Sequence, residues 1–177
     1  MPVSDYHAVS DIMGEIQRLE PKSVADLGIG FGKWGVLCRE ILDARFGRCR
    51  RSQWLTEIHG WEVFKEYRNP CWSVYDVVFG YDFRSLCPDL RDLVLMIDSL
   101  EHLEPDFGRG YLAQLVRTNR HVIVSVPNGL MPQGETFGNP HEAHLWTFNG
   151  VEEFKQYDFK LIHQSVCTVV SIKGELS

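Results

Sequence analysis

The run Asp26-Leu27-Gly28-Ile29-Gly30-Phe31-Gly32-Lys33 places a carboxylate two residues before the first of three alternating glycines. Glycines leave no Cβ in the way of a tight turn, and free amides near a helix start can approach a polar ligand closely. The run therefore reads as a nucleotide-type cofactor loop rather than an ordinary strand-to-helix turn. Spacing narrows the ligand. The dinucleotide fingerprint G-x-G-x-x-G puts its third glycine one position later than here. An aspartate at a strand's carboxyl end suits a ligand's ammonium group and is unhelpful beside a pyrophosphate. The charge logic favours a cationic cofactor that carries an amino-acid moiety.

Other chemistry-bearing residues stand at the ends of predicted strands. Glu62 closes a strand over Ile58–Glu62, where its carboxylate can accept two hydrogen bonds from vicinal ribose hydroxyls. It lies further from Gly28 than the roughly 20 residues usual in dinucleotide sites, and the arginine-bearing segment 43–56 accounts for the excess. That segment, with Arg45, Arg48, Arg50 and Arg51, reads as a solvated loop rather than a receptor for an acidic substrate. Asp98 and His102 follow the apolar run Leu93–Ile97. An imidazole there could be a general base helped by Glu101, although a hydrogen-bonded structural role is preferred. Residues 129–150 read as a substrate-facing loop containing His141-Glu142-Ala143-His144 and Trp146. This is not the H-E-x-x-H spacing of zinc proteases. A metal site from His141, His144 and Asp98 is considered and not favoured, so no metal ligand is assigned. His144 is the better base candidate, and Trp146 is either a gate or core packing.

The elements that must hold these groups alternate. Val9, Ile12, Met13, Ile16 and Leu19 mark an amphipathic helix that must stop near Pro21. Ser23–Leu27 is a short buried strand, and Trp34, Leu37, Cys38, Ile41 and Leu42 share one helical face. Further strands are expected at Tyr75–Phe79, Leu93–Ile97 and His121–Val126, with a helical stripe at Tyr111, Leu112, Leu115 and Val116. An amphipathic segment near Val151–Tyr157 and apolar runs at Phe159–Ile162 and Cys167–Ile172 complete the pattern. The chain of 177 residues suits one domain, 1–177, whose first twenty residues carry the N-terminal helix. A net charge of -6 gives no basic footprint, so nucleic acid is not expected as a partner. Five cysteines without a C-x-x-C pair read as reduced thiols, and no apolar run reaches membrane-spanning length. A cytoplasmic protein with no membrane partner is expected.

Together these motifs resemble those of the class I S-adenosylmethionine-dependent methyltransferases, of the small-molecule and glycan type. The glycine run is similar to motif I of that family, and Gly80-Tyr81-Asp82-Phe83 resembles its adenine motif. Asp98-Ser99-Leu100-Glu101-His102 resembles its D-x-x-E-H motif after strand four, while the N/D-P-P-Y-like motif of DNA amino methyltransferases is absent. The resemblance implies a doubly wound α/β fold: a seven-stranded, mostly parallel sheet with an antiparallel last strand and helices on both faces. It implies S-adenosylmethionine held by Asp26, Gly28, Gly30, Phe31, Gly32, Glu62, Asp82, Phe83, Asp98 and Ser99. Asp82 would accept from the adenine amino group, Phe83 would pack on the ring, and Asp98 would sit beside the methionine moiety. His144, His102 and Asp98 are the catalytic candidates for methyl transfer to oxygen or nitrogen of a small molecule or glycan-like metabolite. The open pocket leaves a carrier-bound substrate, or a neighbouring subunit of a homodimer, to close it. A catalytically silent cofactor-binding partner subunit and, less favoured, a nicotinamide-dependent oxidoreductase are the alternatives.

Overall fold

Seven strands follow in chain order: β1 (Ser23–Leu27), β2 (Glu57–Trp61), β3 (Val77–Phe79), β4 (Leu93–Ile97), β5 (His121–Pro127), β6 (Phe159–Gln164) and β7 (Cys167–Lys173). In this computed structural model, which describes residues 4–177, they form one sheet in the order β3-β2-β1-β4-β5-β7-β6. The first five pair in parallel, and β7 runs antiparallel to both β5 and β6. All five residues of β4 are buried, because a central parallel strand is covered on both faces and takes apolar side chains at every position.

Among the described residues there are three α-helices: α1 (Val9–Leu19), α2 (Lys33–Leu42) and α3 (Pro105–Thr118). The first two pack Ile12, Ile16, Trp34 and Cys38 onto one face of the sheet, against Val24, Ile58 and Leu95. The third packs Leu112, Leu115 and Tyr111 onto the other face, with Val94, Val124 and Phe148. α1 ends at Leu19, with Glu20 capping it in the left-handed conformation, and Pro21 directly after has no amide with which to continue the helix.

Three expectations need correction. The segment near Val151–Tyr157 is not a closing helix but a single 3-10 turn at Glu152–Phe154, whose Phe154 is fully buried. Bounded by the left-handed Gly150 and by Asp158 before β6, it is too short to repay helix nucleation. The third strand begins at Val77 rather than Tyr75. Tyr75 turns into the core, and the Asp76 carboxylate accepts from the Ile58 amide and from Arg39, which draws both residues out of the strand. The arginine-rich segment is more tied down than a solvated loop: Arg48 bonds Asp43, and Arg51 donates to the carbonyls of Ser73, Tyr75 and Asp76.

The position of the site follows from this order. β1 has β2 on one side and β4 on the other, so the direction of winding reverses between β1 and β4. Open α/β sheets bind ligands in the crevice that this reversal leaves at the carboxyl ends of the strands.

Candidate functional site

A cavity of about 600 Å³ occupies that crevice. Its floor at β1 is the glycine turn, where Gly28, Gly30 and Gly32 have φ values of 76°, 49° and 93°. These lie in the left-handed region that side chains avoid. The Gly28 and Ile29 amides both donate to the Trp61 carbonyl, at 2.9 and 3.1 Å, so the turn is fastened to the end of β2. Gly28 also has no room for a side chain: a Cβ there would lie 2.7 Å from Ser99 Oγ. Ser99 Oγ in turn donates to the Leu27 carbonyl at 2.8 Å, tying the end of β4 to the end of β1.

Carboxylates punctuate the cavity along the strand ends. Glu62, after β2, is buried, and its two oxygens accept from the Gly30 amide at 2.8 Å and the Phe64 amide at 2.9 Å. Burial raises its pKa above the ordinary value, against the lowering effect of those amides. Asp82, after β3, accepts from the Arg84 backbone amide and guanidinium at 2.9 and 2.7 Å. Burial works to raise its pKa, and the Arg84 contacts outweigh this and hold it below the ordinary value. Asp98, after β4, has a φ of 49°, a conformation that aspartate tolerates better than most residues. It accepts from Ser125 Oγ at 2.6 Å and from the Asp5 amide at 2.9 Å.

Beyond Asp98 lies a cluster of Glu101, His102 and His144, all lining the cavity. Glu101 is 1% exposed, and its Oε2 has no hydrogen-bond partner among the described residues. Burial pushes its pKa well up, and the nearby Asp98 and Glu142 charges add to this. His102 Nδ1 pairs with the Ala143 carbonyl at 3.1 Å and His144 Nδ1 with the Met131 carbonyl at 2.6 Å. A carbonyl only accepts, so each Nδ1 carries a proton, and in the neutral ring each Nε2 presents a lone pair. Burial lowers the pKa of His102, which favours the neutral ring.

Of the residues singled out in the sequence, Gly28, Gly30, Glu62, Asp82, Phe83, Asp98, Ser99, His102 and His144 line this one cavity. Asp26, Phe31 and Gly32 do not. Asp26 is 2% exposed and accepts a hydrogen bond from Tyr75 Oη at 2.6 Å, and that oxygen accepts from the Gly35 amide at 2.9 Å. Its carboxyl thus organises the start of α2 instead of facing a ligand's ammonium group. Burial pushes its pKa up to about 7. Phe31 is half exposed at the apex of the turn, and Gly32 serves as the N-cap of α2 beside Trp72. Trp146 is a core residue and not a gate: it is buried, packs against the tilted Phe148 ring at 4.4 Å and covers Gly108 of α3.

Sequence reading missed the segment Ser4–Tyr6, which lines the cavity. It is held over Asp98 by the Asp5 amide and by Lys33 Nζ and Trp34 Nε1, which both donate to Ser4. A polar stretch before a helix carries no periodic signal, so only the fold reveals this contact. Gln133, Asn139 and Glu142 of the long loop also reach the cavity. That loop is docked: Tyr67 Oη donates to Glu142 at 2.9 Å, and the Leu145 and Trp146 amides donate to the Glu101 carbonyl.

No protein-family model and no curated protein matches this sequence. Solved structures do match it. The N-terminal domain of EvdMO1, solved in the presence of S-adenosylhomocysteine and D-fucose, superposes with a TM-score of 0.63 at 15% identity, over 97% of this chain and 85% of that one. A class I methyltransferase fold is therefore shown. Burkholderia thailandensis 1,6-didemethyltoxoflavin-N1-methyltransferase, solved with its substrate and S-adenosylhomocysteine, has this fold with a TM-score of 0.60. Its identity is 17%, over 96% of this chain and 83% of that one. TehB from Haemophilus influenzae gives 0.64 at 10% identity, over 94% and 62%. Among the described residues, no helix is long and apolar enough to cross a membrane.

Proposed function

We propose that the chain binds S-adenosylmethionine in this cavity and transfers its methyl group to oxygen or nitrogen of a small-molecule or carrier-bound, glycan-like acceptor. The observation that carries the reading is the succession of the Gly28–Gly30 turn, Glu62, Asp82 and Asp98 along one crevice at successive strand ends. The N-terminal domain of EvdMO1 was solved with S-adenosylhomocysteine bound and in the presence of D-fucose, and 1,6-didemethyltoxoflavin-N1-methyltransferase with bound 1,6-didemethyltoxoflavin and S-adenosylhomocysteine. These support a small-molecule acceptor.

Each residue then has a task. A carboxylate has about four lone-pair directions, so Glu62 can keep the Gly30 and Phe64 amides and still accept from two ribose hydroxyls. Asp82, oriented by Arg84, faces the adenine amino group, and Phe83 packs on the ring. Asp98 takes the methionine end. When bound, the cofactor would supply a sulfonium methyl for in-line transfer to an acceptor lone pair, with the carbon–sulfur electron pair passing to sulfur, and Met131, Gln133 and His144 of the long loop would line the acceptor side. An acceptor proton would pass to Nε2 of the half-buried His144, which lines the cavity with the His102 ring beside it at 5.0 Å. A sulfonium leaves readily, so holding donor and acceptor in line supplies most of the rate.

Calorimetry with S-adenosylhomocysteine and with nicotinamide dinucleotides tests the cofactor. Binding of the former alone is expected, and Gly30→Val, which forces a β-branched side chain into left-handed backbone facing the cavity, should abolish it. Tritium transfer from labelled donor into a metabolite extract tests the reaction. Tight binding without transfer in any extract would favour a silent cofactor-binding partner subunit.

A further inference from the structure

We propose that Glu101, His102 and His144 form a binding site for a divalent transition-metal ion of the zinc type at the acceptor end of the cavity. One ligand atom from each of the three lies within 4.8 Å of those of the other two. Metal–ligand distances of about 2.0–2.2 Å bring such atoms somewhat closer together, a contraction that side-chain rotation supplies. One carboxylate and two imidazoles make a borderline donor set, suited to zinc and its first-row neighbours rather than to magnesium or calcium.

Three independent features make this a built site. First, Glu101 Oε2 is buried without a hydrogen-bond partner among the described residues. A lone buried carboxylate oxygen is costly unless a proton or a cation meets it. Second, both imidazoles donate their Nδ1 protons to backbone carbonyls, Ala143 for His102 and Met131 for His144. That arrangement sets the tautomer and orientation that metal-bound histidines require, with Nε2 left to coordinate. Third, the two chain segments are locked together before any ion arrives. The Glu101 carbonyl accepts the Leu145 and Trp146 amides at 2.8 and 3.1 Å, so the loop bearing His144 is pinned to the turn bearing the other two ligands.

Three protein ligands leave coordination positions open toward the cavity. The use of the ion, unlike its binding, rests on the methyl-transfer reading. An acceptor hydroxyl on the ion becomes more acidic and releases its proton to solvent. The resulting oxygen forms the bond to the methyl carbon, and the carbon–sulfur pair goes to sulfur. With the Nε2 lone pairs engaged, the ion replaces His144 as the source of activation. Acceptors with two adjacent oxygen donors, a vicinal diol or an α-hydroxy carbonyl, fit such a site best.

The test uses the full chain stripped with chelator, with Zn²⁺ as calorimetric probe and Co²⁺ as spectroscopic probe. One ion per chain is expected, with Co²⁺ giving the visible bands of a four- or five-coordinate nitrogen–oxygen site. His102→Ala and His144→Ala should each weaken Zn²⁺ binding about 100-fold. Glu101→Gln, nearly the same shape and safe for folding, should do likewise, while His163→Ala on β6 should not. Thermal melts establish that each variant is folded. No stoichiometric Zn²⁺, or wild-type affinity in both His144→Ala and Glu101→Gln, overturns the site. S-adenosylhomocysteine calorimetry on the same samples separates the two readings. Zn²⁺ bound without the cofactor product sinks methyl transfer and leaves the metal site standing, and the converse result sinks only the metal.

Discussion

Glu62 Oε2 accepts the Gly30 backbone amide at 2.8 Å, joining the end of β2 to the middle of the glycine turn at the end of β1. The contact holds the turn's amide inward and places a buried carboxylate where a ribose would lie. The proposed ligand and the glycine turn therefore depend on the same side chain.

Replacing Glu62 with Gln keeps an acceptor for one amide but removes the charge that would receive two hydroxyls. Charged hydrogen bonds contribute about 1.5–3 kcal/mol, so affinity for S-adenosylhomocysteine should fall roughly tenfold to hundredfold. Glu57, at the opposite end of the same strand and paired with Arg91, is the control, and Glu57→Gln should bind normally. Calorimetry showing the reverse order would displace the ribose site from the end of β2.

Asp26 makes stability depend on pH. Its carboxyl sits at about 7 in the folded chain against an ordinary 3.8, because burial penalises the charged form. A raised carboxyl binds its proton more tightly when folded, so its contribution is complete at acid pH and is lost as pH rises through about 7. Chemical denaturation should show stability falling between about pH 4 and pH 7. Asp26→Asn keeps an oxygen for Tyr75 Oη and should reduce that fall, leaving the variant more stable than the natural chain at pH 8. Parallel pH profiles for the two proteins would show that Asp26 is not the source.

Gly108 opposes helix propensity to packing. In the interior of an exposed helix, Gly→Ala gains about 1 kcal/mol. Here the added Cβ would lie 2.7 Å from the Trp146 ring, itself wedged against Phe148. Overpacking typically costs 1–3 kcal/mol, so Gly108→Ala should lower the melting temperature. It should also disturb the loop, because the Trp146 amide is bonded to the Glu101 carbonyl. A stabilised variant would mean that the ring moves freely.

Much of the fold was legible in local pattern. The apolar run of β4 was recognisable over its full extent, because a strand covered on both faces admits few polar residues at any position. α1 could be bounded from Ile12, Ile16 and Pro21, and the strand–glycine–helix unit from Asp26 to Lys33, because turn chemistry and helical period are properties of neighbouring residues. Carboxylates at strand ends could be nominated for the same reason: a strand's carboxyl end is known once the strand is.

Direction and partnership of side chains were another matter. Asp26 has the sequence position of a ligand-facing carboxylate, yet Tyr75, far along the chain, draws it into the core. His144, and His102 with Glu101 beside it, could be named from sequence, but not that His144 joins the other two or that Glu101 is buried with an unpartnered oxygen. The N-terminal Ser4 and Asp5 gave no signal at all for closing over Asp98. Periodicity records what each residue does within its own element, because neighbours along the chain fix its backbone. Which remote groups meet at a crevice is set by strand order and loop docking, and these follow from the summed burial of the whole sheet.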